Sequence, residues 1–136
     1  MKEKSPLLIK PRTDSSIYQS VTIKSANWKY LNFEARKLKI NEKWEFNTEV
    51  NEMVIVLLSG NYMFKSKKGD FETINGRKDV FKGVAHTLYV PRNTTFELIA
   101  SSDVLDIAYG WCKSDSDFPI KFVTPEKTQT VIFGGD

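Results

Sequence analysis

The chain has 136 residues, of which 40% are hydrophobic and 27% charged, a size and balance that fit one folded domain and exclude a disordered chain, a large barrel or a doubly wound sheet. One histidine, His86, and one cysteine, Cys112, exclude an intrachain disulfide and leave few donors for a zinc site or a base-assisted nucleophile. The net charge of +3 sits in short lysine and arginine groups without a nucleic-acid-binding module, no apolar run reaches the length of a membrane span, and the opening segment is too short for a signal core, so the expectation is a cytoplasmic protein with neither nucleic-acid nor membrane partner.

Apolar residues alternate or form short blocks and nowhere keep helical spacing over several turns, so the chain reads as all-β. Residues 1–16 form an N-terminal arm. Leu31, Phe33 and Ala35 alternate, and Leu38 and Ile40 resume the alternation out of step, which predicts a bulge at Arg36 and Lys37. Trp44 and Phe46 continue the pattern. Residues 53–58 are an unbroken apolar run closed by Ser59 and Gly60, the pattern of a strand buried on both faces. Met53, Ile55 and Leu57 then face one way and Glu52, Val54, Val56 and Leu58 the other. Tyr62 and Phe64 alternate, Lys68, Gly69 and Asp70 turn the chain, and 71–74 returns as the second arm of a hairpin. Asn75 and Gly76 tolerate a left-handed turn. Further strands are predicted over 88–90, 95–100 and 105–111, with breaks at 91–93 and 101–103. About ten short strands at this spacing point to a sandwich or small barrel of the jelly-roll kind. The tail over 119–136, with Phe122, Val123 and the apolar 131–133, is expected to add an edge strand or dock on the barrel or a partner.

The blocks Val56-Leu57-Leu58-Ser59-Gly60, Phe71, Ile74, Arg77, Val80-Phe81 and Tyr89-Val90-Pro91, taken in order over roughly 52–112, resemble the first half of the 5-deoxy-glucuronate isomerase family. The opening Leu7-Leu8-Ile9-Lys10-Pro11 is similar to that family's start. The resemblance implies a single antiparallel cupin barrel over 1–136, from a family of two-cupin proteins. These interconvert the aldose and ketose forms of a deoxy sugar acid in inositol catabolism, and are related to the ketol-isomerases of pectin-derived uronates. It also implies that the metal cluster belongs to the second half, near whose beginning this chain stops. Metal-binding cupins carry two histidines shortly before a glutamate and then a glycine. Here Glu52 and Gly60 hold the last two places, while 44–50 has no histidine. The second motif's histidine would follow the Pro91 turn, where Thr95 and Phe96 stand, and His86 lies before that turn. The expectation is therefore no metal and no cofactor. The family's Ile-Gly before the arginine reads Ile74-Asn75, a mild change because asparagine accepts the left-handed region.

An aldose–ketose isomerisation moves a proton between adjacent carbons and needs a general base and an electrophile. Glu52 is the candidate base if its strand turns it into the barrel; otherwise it is a strand-end carboxylate paired with a lysine or capping a turn. Arg77 is a candidate fork for a sugar carboxylate, or it pins the Asn75-Gly76 loop through Glu72 or Asp79. His86 is a candidate ligand or proton shuttle, or a hydrogen-bonded loop histidine. Trp44, Tyr109 and Trp111 offer faces for a sugar ring, or belong to the core. Cys112 reads as a small buried hydrophobe unless a cation lies beside it. Three functions follow: the first is a metal-free first half or stand-alone relative of the isomerase, inactive alone, and the second a non-catalytic cupin that binds a sugar acid. A metal-free enzyme built on Glu52 is the third. The apolar face of the 53–58 strand predicts a homodimer.

Overall fold

Ten strands build two antiparallel sheets in the computed structural model, which describes residues 8–134. They are β1 (Ile17–Val21), β2 (Asn32–Lys39), β3 (Lys43–Asn47), β4 (Asn51–Ser59), β5 (Tyr62–Ser66), β6 (Phe71–Glu72), β7 (Thr87–Val90), β8 (Thr95–Ala100), β9 (Val104–Lys113) and β10 (Lys121–Val123). The six-stranded sheet runs β1-β2-β9-β4-β7-β10 and the four-stranded sheet β3-β8-β5-β6. This is an all-β jelly-roll sandwich, with the two sheets packed face to face rather than hydrogen-bonded into a closed barrel. Lys2, Lys4 and Leu7 of the opening, and Gly135 and Asp136 at the end, lie outside the described residues.

Strand alternation decides what fills the space between the sheets. Met53, Ile55 and Leu57 of β4 point inward together with Leu88 and Val90 of β7 and Leu105, Ile107 and Tyr109 of β9; from the other sheet come Trp44, Tyr62, Phe64, Phe96, Leu98 and Ala100. Each large apolar side chain taken out of water contributes about 1.5–3 kcal/mol. The opposite side of β4 behaves differently from the expectation. Val54 keeps 41% of its surface exposed and Glu52, Val56 and Leu58 are half-buried, so this strand is fully covered on one face only.

The predicted bulge at Arg36 and Lys37 is also corrected. β2 pairs with β9 without interruption from Asn32 opposite Trp111 to Lys39 opposite Val104, and the irregularity lies on the neighbouring β1, between Ile17 and Gln19. The parity change has another cause. Glu34 pairs with Tyr109, Arg36 with Ile107 and Leu38 with Leu105, so polar residues take inward positions while Phe33 and Ala35 take outward ones. The wider sheet permits this, because at its β1–β2 end the inward positions are only partly covered: Ser20 is exposed and Glu34 and Arg36 are half-buried.

Two elements were not legible as periodicity: β1, and the four-residue helix α1 (Ile23–Ala26) capped by Thr22, whose hydroxyl accepts from the Ser25 amide. The return arm of the β5 hairpin is shorter than 71–74: the Thr73 amide still donates to the Tyr62 carbonyl at 3.1 Å, but the Tyr62 amide donates at 2.9 Å to the Thr73 hydroxyl, which replaces the second backbone rung. β10 lies at the edge of the six-stranded sheet beside β7. The approach to it is tied down by Arg92, whose Nε donates to Asp117 at 2.6 Å. Among the described residues no helix is long and apolar enough to cross a membrane.

Candidate functional site

The middle of the sandwich is aromatic. Phe96 packs 5.2 Å from Trp44, 5.9 Å from Phe46 and 4.9 Å from Phe64 between ring centroids, and Trp44 stacks on Tyr109. Phe96 follows the Pro91 turn and Trp44 and Phe46 lie in the stretch before β4, the two regions where a metal-binding cupin would carry imidazoles. The side chains at these two places, Trp44, Phe46 and Phe96, offer no imidazole, thiolate or carboxylate, and do not fit a transition metal. Among the described residues no group of three or more His, Cys, Asp or Glu side chains converges.

Glu52 does not face this interior. It pairs with Cys112 on β9 and lies one residue from inward-facing Met53, so strand alternation turns it outward. Its Oε2 accepts the Tyr89 hydroxyl at 2.7 Å and its Oε1 lies 3.8 Å from the Cys112 sulfur. Burial and the Glu52 hydrogen bond push the Tyr89 phenol up to about 12. Burial first, then the same carboxylate, raises the Cys112 thiol. The thiol therefore stays protonated, its neighbour being a carboxylate where a reactive cysteine needs a cation.

Arg77 and His86 meet in one cleft of about 610 Å³ beneath the loop over 75–84, closed on the far side by β10 and the short 3-10 helix Pro125–Lys127. The loop is anchored to Gly60, between β4 and β5, which exchanges backbone hydrogen bonds with Arg77 at 2.7 and 3.2 Å. Gly60 (φ +87°) and Gly76 (φ +23°) both lie in the left-handed region, and a Cβ on either would collide with backbone or side-chain oxygens. Arg77 pairs with neither Glu72 nor Asp79: its terminal nitrogens donate to the carbonyls of Leu57 at 3.2 Å, Val80 at 2.9 Å and Gly83 at 3.0 Å. The guanidinium thus holds the loop, and its buried Nε has no partner. His86 is only 4% exposed, stacks on Phe122 with centroids 5.6 Å apart, and leaves Nδ1 unpaired. Burial lowers its pKa, opposed by the nearby Glu126 carboxylate, which favours the neutral imidazole. A second depression of about 590 Å³, between β5 and the start of β8, is lined by surface lysines including Lys65, Lys67 and Lys68.

Trp44 and Tyr109 belong to a third place, with a residue that the sequence reading did not single out. Arg36 donates from Nε to the Tyr109 hydroxyl at 3.2 Å and lays its guanidinium 4.6 Å above the Trp44 ring. Burial pushes Tyr109 up to about 12 against the opposing effect of Arg36, and burial raises the adjacent Glu34 carboxyl, again with Arg36 opposing.

The family model described as the KduI/IolB family matches residues 7–136. The chain belongs to the KduI/IolB family. Among its relatives, a 5-deoxy-glucuronate isomerase of Geobacillus kaustophilus is 30% identical over 115 residues, covering 84% of this chain and 41% of that protein. A 5-deoxy-glucuronate isomerase of Geobacillus thermodenitrificans is 30% identical over 108 residues, covering 79% and 39%. The chain therefore spans about 40% of the length of the curated relatives it matches. An IolB-like protein from Salmonella typhimurium superposes with a TM-score of 0.87 at 22% identity, over 94% of this chain and 49% of that one. The cupin domain of Schizosaccharomyces pombe Cnp3 gives 0.56 at 13% identity, over 78% and 69%. At these identities the structural likeness shows the cupin fold alone.

Within this KduI/IolB member the residues singled out from sequence fall into three separate places: Glu52 on the outer sheet face, Arg77 with His86 in the rim cleft, Trp44 with Tyr109 between the sheets. The signal for Arg36 and Glu34 was present as the parity change itself. Polar residues out of step with a run of apolar ones mark either a bulge or an inward-facing polar patch, and only the β2–β9 register separates the two.

Proposed function

We propose that this chain is a metal-free first cupin of the 5-deoxy-glucuronate isomerase type, or a stand-alone relative of it, catalytically silent by itself and acting in the cytoplasm. The observation that carries the reading is the aromatic filling of the interior by Trp44, Phe46, Phe64 and Phe96. An aldose–ketose conversion needs a base and an electrophile at the same pair of carbons, and the one inward carboxylate on β2, Glu34, sits beside Arg36 and Tyr109 with no converging group of three or more His, Cys, Asp or Glu side chains among the described residues. Glu52, the candidate base read from the sequence, is held by Tyr89 on the other side of its strand. Turnover then belongs to a second cupin carrying metal ligands, to which this one contributes fold and contact surface. A direct assay follows: the purified chain given the deoxy sugar acid is expected to show no isomerisation, and steady turnover by the chain alone would overturn the reading.

The same reading includes a homodimer through the outward side of the 53–58 segment. Exposed Val54 beside half-buried Val56 and Leu58 supports it, since apolar surface of this kind is a common interface. Light scattering at micromolar concentration is expected to give twice the 15.6 kDa chain mass; a clean monomer would contradict it.

A second reading, a non-catalytic cupin that binds a sugar acid, is favoured by the cleft that brings Arg77 and His86 together. Under it, a uronate raises the melting temperature without turnover.

A further inference from the structure

We infer that Asn75-Gly76 is a self-modification site, where the Asn75 carboxamide closes onto the Gly76 amide, loses ammonia and reopens with water as isoaspartate, freeing the loop over 75–84 from its anchor. It concerns the covalent chain itself and holds whatever the cleft binds.

Asn75 alone among the asparagines of the chain precedes a glycine. Attack on a side-chain carbonyl by the next residue's amide nitrogen is hindered by that residue's Cβ, and glycine has none. Asn75 is exposed and Gly76 half-buried, with φ of +55° and +23°, a left-handed pair that these two residues tolerate. Hydrogen bonds hold the chain on both sides, at Thr73 and at Arg77, but among the described residues none falls on the Asn75 carboxamide or the Gly76 amide. Both reacting groups are therefore free. Arg77 and Lys78 follow directly, and their charge favours the anionic amide nitrogen that attacks. This nitrogen bonds to Asn75 Cγ, the Cγ–Nδ2 bond breaks, and Nδ2 departs as ammonia with the proton that the Gly76 amide gave up. The resulting succinimide adds water at either carbonyl. Opening at Cγ gives aspartate and the original backbone; opening at the main-chain carbonyl gives isoaspartate, whose backbone runs through Cβ and Cγ and gains a carbon.

The added carbon meets a crowded place. Gly76 is wedged against the Gly60 carbonyl and the Asn61 carboxamide, and the next residue makes the bridge to Gly60. Lengthening the chain just ahead of that bridge displaces Arg77, whose terminal nitrogens hold the Val80 and Gly83 carbonyls. The loop then loses its backbone anchor and its guanidinium clasp together. Aspartate leaves the backbone length unchanged and keeps both.

The full chain is incubated in mildly alkaline buffer and sampled over time. Peptide mass mapping locates the loss of ammonia, methyl transfer by an isoaspartate-specific carboxyl methyltransferase counts the rearranged product, and hydrogen exchange reads the loop. Ammonia is expected to leave Asn75 at least about tenfold faster than any other asparagine, with isoaspartate exceeding aspartate. Exchange over 75–84 is expected to accelerate in the incubated protein while β8 keeps its rate. Asn75→Gly suits the left-handed position and has no carboxamide, so its exchange should not change on incubation. Fresh Asn75→Asp should exchange like the native chain. Ammonia loss at Asn75 no faster than at the other asparagines would overturn the site. Isoaspartate at position 75 with native exchange over the loop, or equal acceleration in incubated Asn75→Gly, would overturn the link to the loop.

Discussion

Trp44 of β3 and Tyr109 of β9 stack across the gap between the two sheets, with ring centroids 4.4 Å apart and planes inclined by 29°. The contact joins the two sheets inside the hydrophobic core. Arg36 closes the same point from the side, its guanidinium over the indole and its Nε on the phenol. Removing the indole leaves Tyr109, Phe46 and Phe96 without their shared neighbour, so Trp44→Ala is expected to lower unfolding free energy by about 3–5 kcal/mol. Tyr109→Phe keeps the stack and deletes one hydrogen bond to a charged group, a loss of about 1–2 kcal/mol. Urea denaturation measures both. A loss below about 1 kcal/mol for Trp44→Ala would mean that the ring lines open space.

The base of the cleft loop depends on Gly60. Its φ of +87° and the proximity of Val104 O and Ser102 Oγ leave no room for a methyl group. Gly60→Ala is expected to destabilise the protein by about 2 kcal/mol or more. The effect should extend to the loop, because the backbone bonds between Gly60 and Arg77 are the loop's anchor. Hydrogen exchange across 75–84 should therefore accelerate in this variant more than exchange in β8. Equal acceleration in both would show that the bridge does not hold the loop.

The buried imidazole sets a pH dependence with a definite sign. Burial depresses the folded-state pKa of His86 below the ordinary 6.5, so the unfolded chain binds the proton more readily. The stability associated with the neutral ring is full above pH 6.5 and is lost as pH falls through the lower folded value. Glu34 works in the opposite direction: its carboxyl is raised from 4.5, and its contribution is lost as pH rises through its folded value. Comparing His86→Phe with the native chain separates the two. The native protein is expected to lose more stability than the variant between pH 7 and pH 5, measured by denaturant midpoints. Parallel curves would show that the ring is not buried neutral.

Much of the fold follows from simple alternation. Met53, Ile55 and Leu57 could be grouped on one side of their strand from sequence, and they do form part of the core. Which side of a strand carries function is harder to read, because period-two patterning separates two faces without saying where each points. Glu52 illustrates this. Its spacing from Gly60 matched a cupin motif, yet the register gives the inward position to Met53. Arg77 illustrates a second limit. Its place in the chain suggested a ligand, but the carbonyls of Leu57, Val80 and Gly83 that occupy it are backbone groups with no signature in side-chain sequence. β1 was missed because Ile-Tyr-Gln-Ser-Val carries a bulge, and a bulge erases alternation over so short a strand.

Metal content of the purified protein bears most directly on the proposed absence of a catalytic centre between the sheets. After expression in medium supplemented with zinc, manganese and iron, followed by dialysis, plasma mass spectrometry is expected to find far less than one metal ion per chain. One tightly held ion per chain, lost together with folded stability on chelation, would contradict it.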